Sequence, residues 1–156
     1  CLFYIRYVSG KNVVGTNFWT NNQMSQSVVS WRGIAFEDLC IRHMSQIKKA
    51  LGISGVITSQ SSWIVPGSEN EAGMQIDLLI NRNDNIVNMC EMKFYHEDFT
   101  VNGEYNKKIA SRANKLHEDL PKKYAVHSTL ITTYGLTYNE YCGAFQQVIT
   151  LEELFS

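Results

Sequence analysis

Between Gly73 and Tyr95 the chain alternates apolar and polar positions in two runs separated by a short polar stretch. Met74, Ile76, Leu78 and Ile80 alternate with Gln75, Asp77 and Leu79, the period of two that sends strand side chains to opposite faces. Asn81 to Asn85 reads N-R-N-D-N, and because Asn and Asp tolerate left-handed backbone the chain is predicted to turn back there. A return strand follows from Ile86, with Val87, Met89, Glu91, Lys93 and Tyr95 on one face. The stretch predicts a β-hairpin with an acid in its first strand and an acid and a base in its second.

The rest of the pattern surrounds that hairpin with alternating elements. Leu2 to Val8, L-F-Y-I-R-Y-V, is apolar and aromatic, too short to span a membrane, and is expected to pack on something. Ser9 to Ser30, rich in Gly, Asn, Ser, Gln and Thr around Phe18-Trp19, reads as a linker with a module boundary near residue 30. From Trp31 to Leu51, Phe36, Cys40, Met44, Ile47 and Leu51 recur at threes and fours, predicting a helix that Ser30 caps and Gly52 closes. Ser54 to Val65 predicts a strand ended by Pro66-Gly67. Asn102 is placed to cap a helix over Gly103 to Leu120, with Tyr105, Ile109, Ala113, Leu116 and Leu120 inward and Pro121 at its end. Val126 to Tyr134 and Ala144 to Thr150 predict two further strands, and Thr150 with Glu153 makes a capping box for a terminal turn. The order is helix, three strands, helix, two strands, short helix, an α/β arrangement.

Composition narrows the class. With 44% hydrophobic and 12% aromatic residues, the 156-residue chain has enough apolar material for one packed domain. Its 14 basic and 15 acidic residues nearly cancel, so a nucleic-acid surface must be local rather than global. Cys1, Cys40, Cys90 and Cys142 are widely spaced, without C-x-x-C or zinc spacing, and read as reduced thiols of a cytoplasmic protein. Nothing resembles a signal peptide or a membrane span. A chain that opens on Cys1 is expected to be a fragment of a longer polypeptide. No G-x-x-x-x-G-K is present for nucleotide hydrolysis, and His43, His96, His117 and His127 lack partners at useful spacing.

The chemistry concentrates in the hairpin. Glu91 and Lys93 stand side by side, and a turn near Asn83 or Asp84 puts Asp77 opposite or diagonal to Glu91. Burying such groups without partners costs several kcal/mol each, so pairing or a metal is expected, and oxygen-only ligands favour Mg²⁺ or Mn²⁺. The plain structural alternative is a strand-edge salt bridge from Asp77 or Glu91 to Lys93. Glu37 lies at the margin of the apolar stripe beside Phe36, where on its own it reads as a first-turn acid favoured by the helix dipole. Lys108, Arg112 and Lys115 recur at i, i+4 and i+7 with Lys107 adjacent, a row that suits either solubility or phosphate contact.

An Asp followed after a hairpin by Glu-x-Lys resembles the PD-(D/E)xK nuclease superfamily, and the element order resembles its αβββαβ core. The segments W-R-G-I-A-F-E, K-K-A-L-G-I-S-G-V, Q-I-D-L-L-I, C-E-M-K-F and T-T-Y-G resemble the C-terminal region of a group of bacterial ATP-binding proteins. Those carry an AAA-type ATPase domain, a winged-helix segment and a nuclease-like domain last. The resemblance implies a restriction-endonuclease-like domain over residues 31–156, with helices flanking a mixed sheet, and residues 1–30 as the tail of a winged-helix-like segment plus linker. It further implies Mg²⁺ or Mn²⁺ held by Asp77, Glu91, Glu37 and the main-chain carbonyl of Met92. Lys93 would orient the attacking water or stabilise charge, while Lys107, Lys108, Arg112 and Lys115 would hold DNA backbone phosphates without reading sequence. The ATPase domain of the same polypeptide would be a partner, and L-F-Y-I-R-Y-V would allow self-association where that neighbour is missing. Ile76 replaces the proline that names the motif, and the second helix lacks the Q-x-x-x-Y of RecB-like members. The competing expectation is a catalytically inactive module that docks DNA or a protein onto the ATPase.

Overall fold

The predicted hairpin forms around Asn85, whose φ of 65° lies in the left-handed region that Asn tolerates. The computed structural model describes residues 26–67 and 73–156. In chain order these form α1 (Gln26–Arg42), α2 (Met44–Ala50), β1 (Thr58–Val65), β2 (Met74–Arg82), β3 (Ile86–Lys93) and α3 (Gly103–Asp119). There follow β4 (Ala125–Thr132), a 3₁₀ turn (Cys142–Ala144), β5 (Gln147–Thr150) and α4 (Leu151–Leu154).

The strands make one five-stranded sheet in the order β1-β2-β3-β4-β5. β1, β2 and β3 run antiparallel to their neighbours, whereas β3, β4 and β5 are parallel. A parallel pair needs a crossover, and α3 supplies it between β3 and β4. One layer packs Phe36 and Cys40 of α1, Met44 and Ile47 of α2 and Leu154 of α4 onto Leu78, Ile80, Cys90, Met92, Ile131 and Ile149. On the other, Ile109 and Leu116 of α3 join Phe99, Val101 and Phe145 against Ile76, Leu79, Val87, Met89 and Leu130. The fold is therefore a mixed sheet between two helical layers, an α+β protein with the expected αβββαβ order, and β3 lies at its centre. No helix among the described residues is long and apolar enough to cross a membrane.

Local signals hold at several ends. Asn102 Oδ1 accepts a bond from Tyr105 N at 2.8 Å, Thr150 and Glu153 complete the capping box, and Gly52 closes α2 at φ 69°. Elsewhere the boundaries move. α1 is already helical at Gln26, the first described residue, so Ser30 lies inside it rather than capping it, and Val28 in that turn is buried. The helix expected through Leu51 breaks at His43, where φ is −109° and ψ 36°. There the ring Nδ1 lies 2.7 Å from Leu39 O, the carbonyl that also receives His43's own amide. β1 starts at Thr58, β4 ends at Thr132, and β5 starts at Gln147 because Cys142 to Ala144 coil into a 3₁₀ turn. The apolar Leu2 to Val8 segment, and the linker reading up to residue 25, fall outside the described residues.

The most consequential difference lies in β2. Ser61 pairs with Leu79 and Trp63 with Ile76, so Asp77 and Leu78 together face Ser62 alone. This one-residue bulge breaks the strict alternation the sequence suggests. Leu78 and Ile80 face the α1 layer, whereas Ile76 joins Leu79 in the α3 layer.

Candidate functional site

At the end of β3, Glu91 and Lys93 continue the face on which Val87 and Met89 meet α3. Glu91 is 7% exposed, so its carboxylate requires partners. Tyr105 Oη donates to Oε2 at 2.9 Å, the Arg112 guanidinium donates to Oε1, and Lys93 Nζ lies 3.6 Å from Oε2. Tyr105 and Arg112 reach it because residues 105, 109, 112 and 116 share the inward stripe of α3. Burial first, and then the Glu91 charge, push the Tyr105 phenol up, which keeps it a donor to that carboxylate.

Asp77 is exposed, and Gln75 Nε2 donates to its Oδ1 at 2.6 Å. The β2–β3 ladder runs from Asn81 opposite Val87 to Leu78 opposite Cys90 and stops one step short of Asp77 and Glu91. The bulge thus frees Asp77 from regular pairing just where the ladder ends. Glu37 enters from α1, beside Phe36, whose ring meets that of Phe94 edge-on at 6.0 Å. Burial raises the Glu37 carboxyl above the ordinary range, the Asp77 and Glu91 carboxylates raise it further, and Lys93 opposes them. Asp77 of β2 and Glu91 and Lys93 of β3 thus all bring their charges to bear on Glu37 of α1. Met92 is buried in the α1 layer and pairs with Ile131 in the β3–β4 ladder.

The basic row on α3 does not stay together. Lys107 and Lys115 line a groove of about 840 Å³ with Met74, Ala110, Ser111, Asn114 and Glu118, and Lys115 pairs with Glu118 at 3.2 Å. Lys108 is exposed. Arg112 instead turns inward to Glu91, its side chain 14% exposed, which corrects the expectation that it stands with the three lysines. The signal was present in the spacing: Arg112 lies three residues after Ile109 and four before Leu116, both of them core residues. Tyr105 as a partner of Glu91 could not be read the same way, since spacing says it points inward but not which strand it meets. No histidine joins the groups acting on Glu37; His96 Nε2 lies 3.2 Å from Arg32 Nη1, and His43 holds Leu39 O.

A divalent cation is what the resemblance implies for these carboxylates. Their oxygen chemistry suits a hard ion, but their arrangement does not fit one. Among the described residues no group of three or more His, Cys, Asp or Glu side chains could hold a metal ion. Both oxygens of Glu91 already face donors, and an ion there would meet the positive charges of Arg112 and Lys93.

No family model matches the chain, and no curated protein matches it. Among solved structures it is similar to the crystal structure of AF1548, a protein of unknown function, at 20% identity and a TM-score of 0.44. The similarity covers 72% of this chain and 61% of that one.

Proposed function

We propose that this chain is a nuclease-like domain that hydrolyses the phosphodiester backbone of DNA, with Glu37, Asp77, Glu91 and Lys93 as its reactive centre. One observation supports it above the rest: charged side chains of β2 and β3 reach Glu37 on α1, and the repulsion of Asp77 and Glu91 adds to burial in keeping it more basic than an ordinary glutamate. A perturbed acid among charges drawn from distant parts of a chain is a physical signature of functional sites. In this reading Glu37 is suited to take a proton from an attacking water, and Lys93 to stabilise charge on the phosphoryl oxygens. Lys107, Lys108 and Lys115 would hold flanking phosphates by charge, without reading sequence. Dependence on Mg²⁺ or Mn²⁺, a cytoplasmic setting and attachment to an AAA-type ATPase domain enter the proposal from the resemblance alone.

The test is incubation of the purified chain with single-stranded and duplex DNA, with Mg²⁺ or Mn²⁺ supplied, beside Asp77→Ala and Lys93→Ala. Cleavage that both substitutions abolish is the expected result. Undiminished cleavage by both variants rejects the assignment.

The closed pairing of Glu91 with Arg112, Tyr105 and Lys93 favours a second reading, a module that docks DNA or a protein without cutting. It predicts a DNA mobility shift that Asp77→Ala leaves unchanged, with no cleavage by the parent.

A further inference from the structure

Tyr95 stands just past the end of β3 and is 45% exposed, yet its ring is held in place. It meets the ring of Phe99 edge to face, centroids 5.0 Å apart at 79°, and Phe99 in turn meets Tyr105 at 5.3 Å and 72°. Tyr105 donates to Glu91, so a chain of three aromatic rings leads from the surface to the carboxylate cluster. Tyr95 is also among the groups that raise the Tyr105 phenol, after burial and the Glu91 charge, so the two phenols are close. The Tyr95 amide is tied to Thr133 Oγ1 at 3.1 Å. An edge-to-face contact uses at most one face of a ring, so an anchored aromatic face is left to solvent beside the proposed reactive centre.

We infer that Tyr95 is a stacking platform for an unpaired nucleobase, and that the substrate of this site is single-stranded DNA. The inference rests on the proposed reading and narrows its substrate. Within a duplex the bases stack on one another and show a protein only their edges, so the face of a base reaches Tyr95 only where the strand is unpaired. Stacking tolerates any base and needs no net charge. That suits a chain whose nearly balanced 14 basic and 15 acidic residues give little general hold on duplex phosphates. Tyr134, 56% exposed, has a different setting, because it lines a crevice with Asp98 and Glu152, whose charges repel phosphate. It serves as the control for exposure alone.

The test is fluorescence anisotropy with labelled oligothymidylate, EDTA present so that nothing is cut. Beside it run the same strand annealed to oligoadenylate and a strand of equal length made of abasic sites. The parent is expected to bind the single strand more tightly than either comparison. Tyr95→Ala is expected to bind that strand about tenfold more weakly, the scale of one lost stacked base, with Tyr95→Phe and Tyr134→Ala matching the parent. Four results overturn the inference: undiminished single-strand binding by Tyr95→Ala, an equal loss on the abasic strand, an equal loss in Tyr134→Ala, or equal affinity of the parent for single strand and duplex. So does a folded parent that binds no DNA. Should Tyr95→Ala fail to fold, Tyr95→Leu, which keeps an apolar contact with Phe99 but presents no aromatic face, is held to the same outcome. Incubation with Mg²⁺ separates the inference from the reading beneath it. Tyr95-dependent binding without cleavage upholds the platform and rejects the nuclease, whereas cleavage by the parent with binding undiminished in Tyr95→Ala rejects the platform alone.

Discussion

Glu37 of α1 and Asp77 of β2 repel each other: after burial, the Asp77 carboxylate is the largest influence holding the Glu37 carboxyl above its ordinary value of 4.5. A carboxyl raised in the folded state binds its proton more readily there than in the unfolded chain. Stability from this group is therefore highest below pH 4.5 and declines as pH rises from there through the folded value, beyond which the penalty is constant. Glu37→Gln removes the penalty. Urea melts at neutral pH are expected to show the variant more stable than the parent, with the difference closing below pH 4.5. The same variant is expected to lose DNA cleavage, a combination that a merely structural glutamate would not produce.

Glu91 and Arg112 are expected to behave in the opposite sense. Arg112→Ala leaves a buried carboxylate with Tyr105 and Lys93 alone, and chemical denaturation should register a loss of about 3 kcal/mol. Glu91→Gln/Arg112→Gln leaves no lone charge and should recover much of that loss. Failure of the double variant to recover any stability would show that the guanidinium acts through packing rather than through Glu91.

The turn offers a test independent of function. Asn85 sits at φ 65°, where a Cβ-bearing residue without a short polar side chain is strained by about 1 kcal/mol. Asn85→Ala should lower the thermal midpoint, whereas Asn85→Gly should hold or raise it. Equal midpoints for the two variants would place the turn elsewhere.

Cysteine chemistry reports on the α1 layer. Burial, helped by the nearby Glu37 charge, pushes the Cys40 thiol up to about 12, and burial raises Cys90 as well. In a Cys1→Ser background, iodoacetamide at pH 8 should label the half-exposed Cys142 and spare both others until the chain unfolds. Mass spectrometry of tryptic peptides reads the outcome directly.

What the sequence disclosed, and what it withheld, follows one division. The Asn85 turn, the Asn102 cap and the Thr150–Glu153 box are local, each determined by a few adjacent side chains and the backbone they bond, so residue order reveals them. The inward stripe of α3 is legible for the same reason, and it carried Arg112 even though the row of positive charge drew attention away from it. That Ser30 lies inside α1 was not legible, because the burial of Val28 depends on tertiary structure and not on the local sequence. The break at His43 was hidden too, since one ring nitrogen on a carbonyl leaves the apolar periodicity of Phe36, Cys40, Met44 and Ile47 intact. For the candidate site, Asp77, Glu91 and Lys93 were singled out by residue type and order, whereas Glu37 was singled out only by the resemblance. Lys93 beside Glu91 was legible from their spacing along β3, whereas Tyr105 and Arg112 as partners depend on which helix covers that face of the strand.

The additional residue in β2 gives that strand a divided allegiance. A chain that lost Leu78 would regain unbroken pairing from Met74 to Arg82 and would, by every measure of regularity, be the better strand. It would also draw Asp77 into the ladder and away from the open end of the sheet where Glu37 feels its charge. Tidying this hairpin would therefore trade a core leucine, and the freedom of Asp77 from regular pairing, for unbroken alternation.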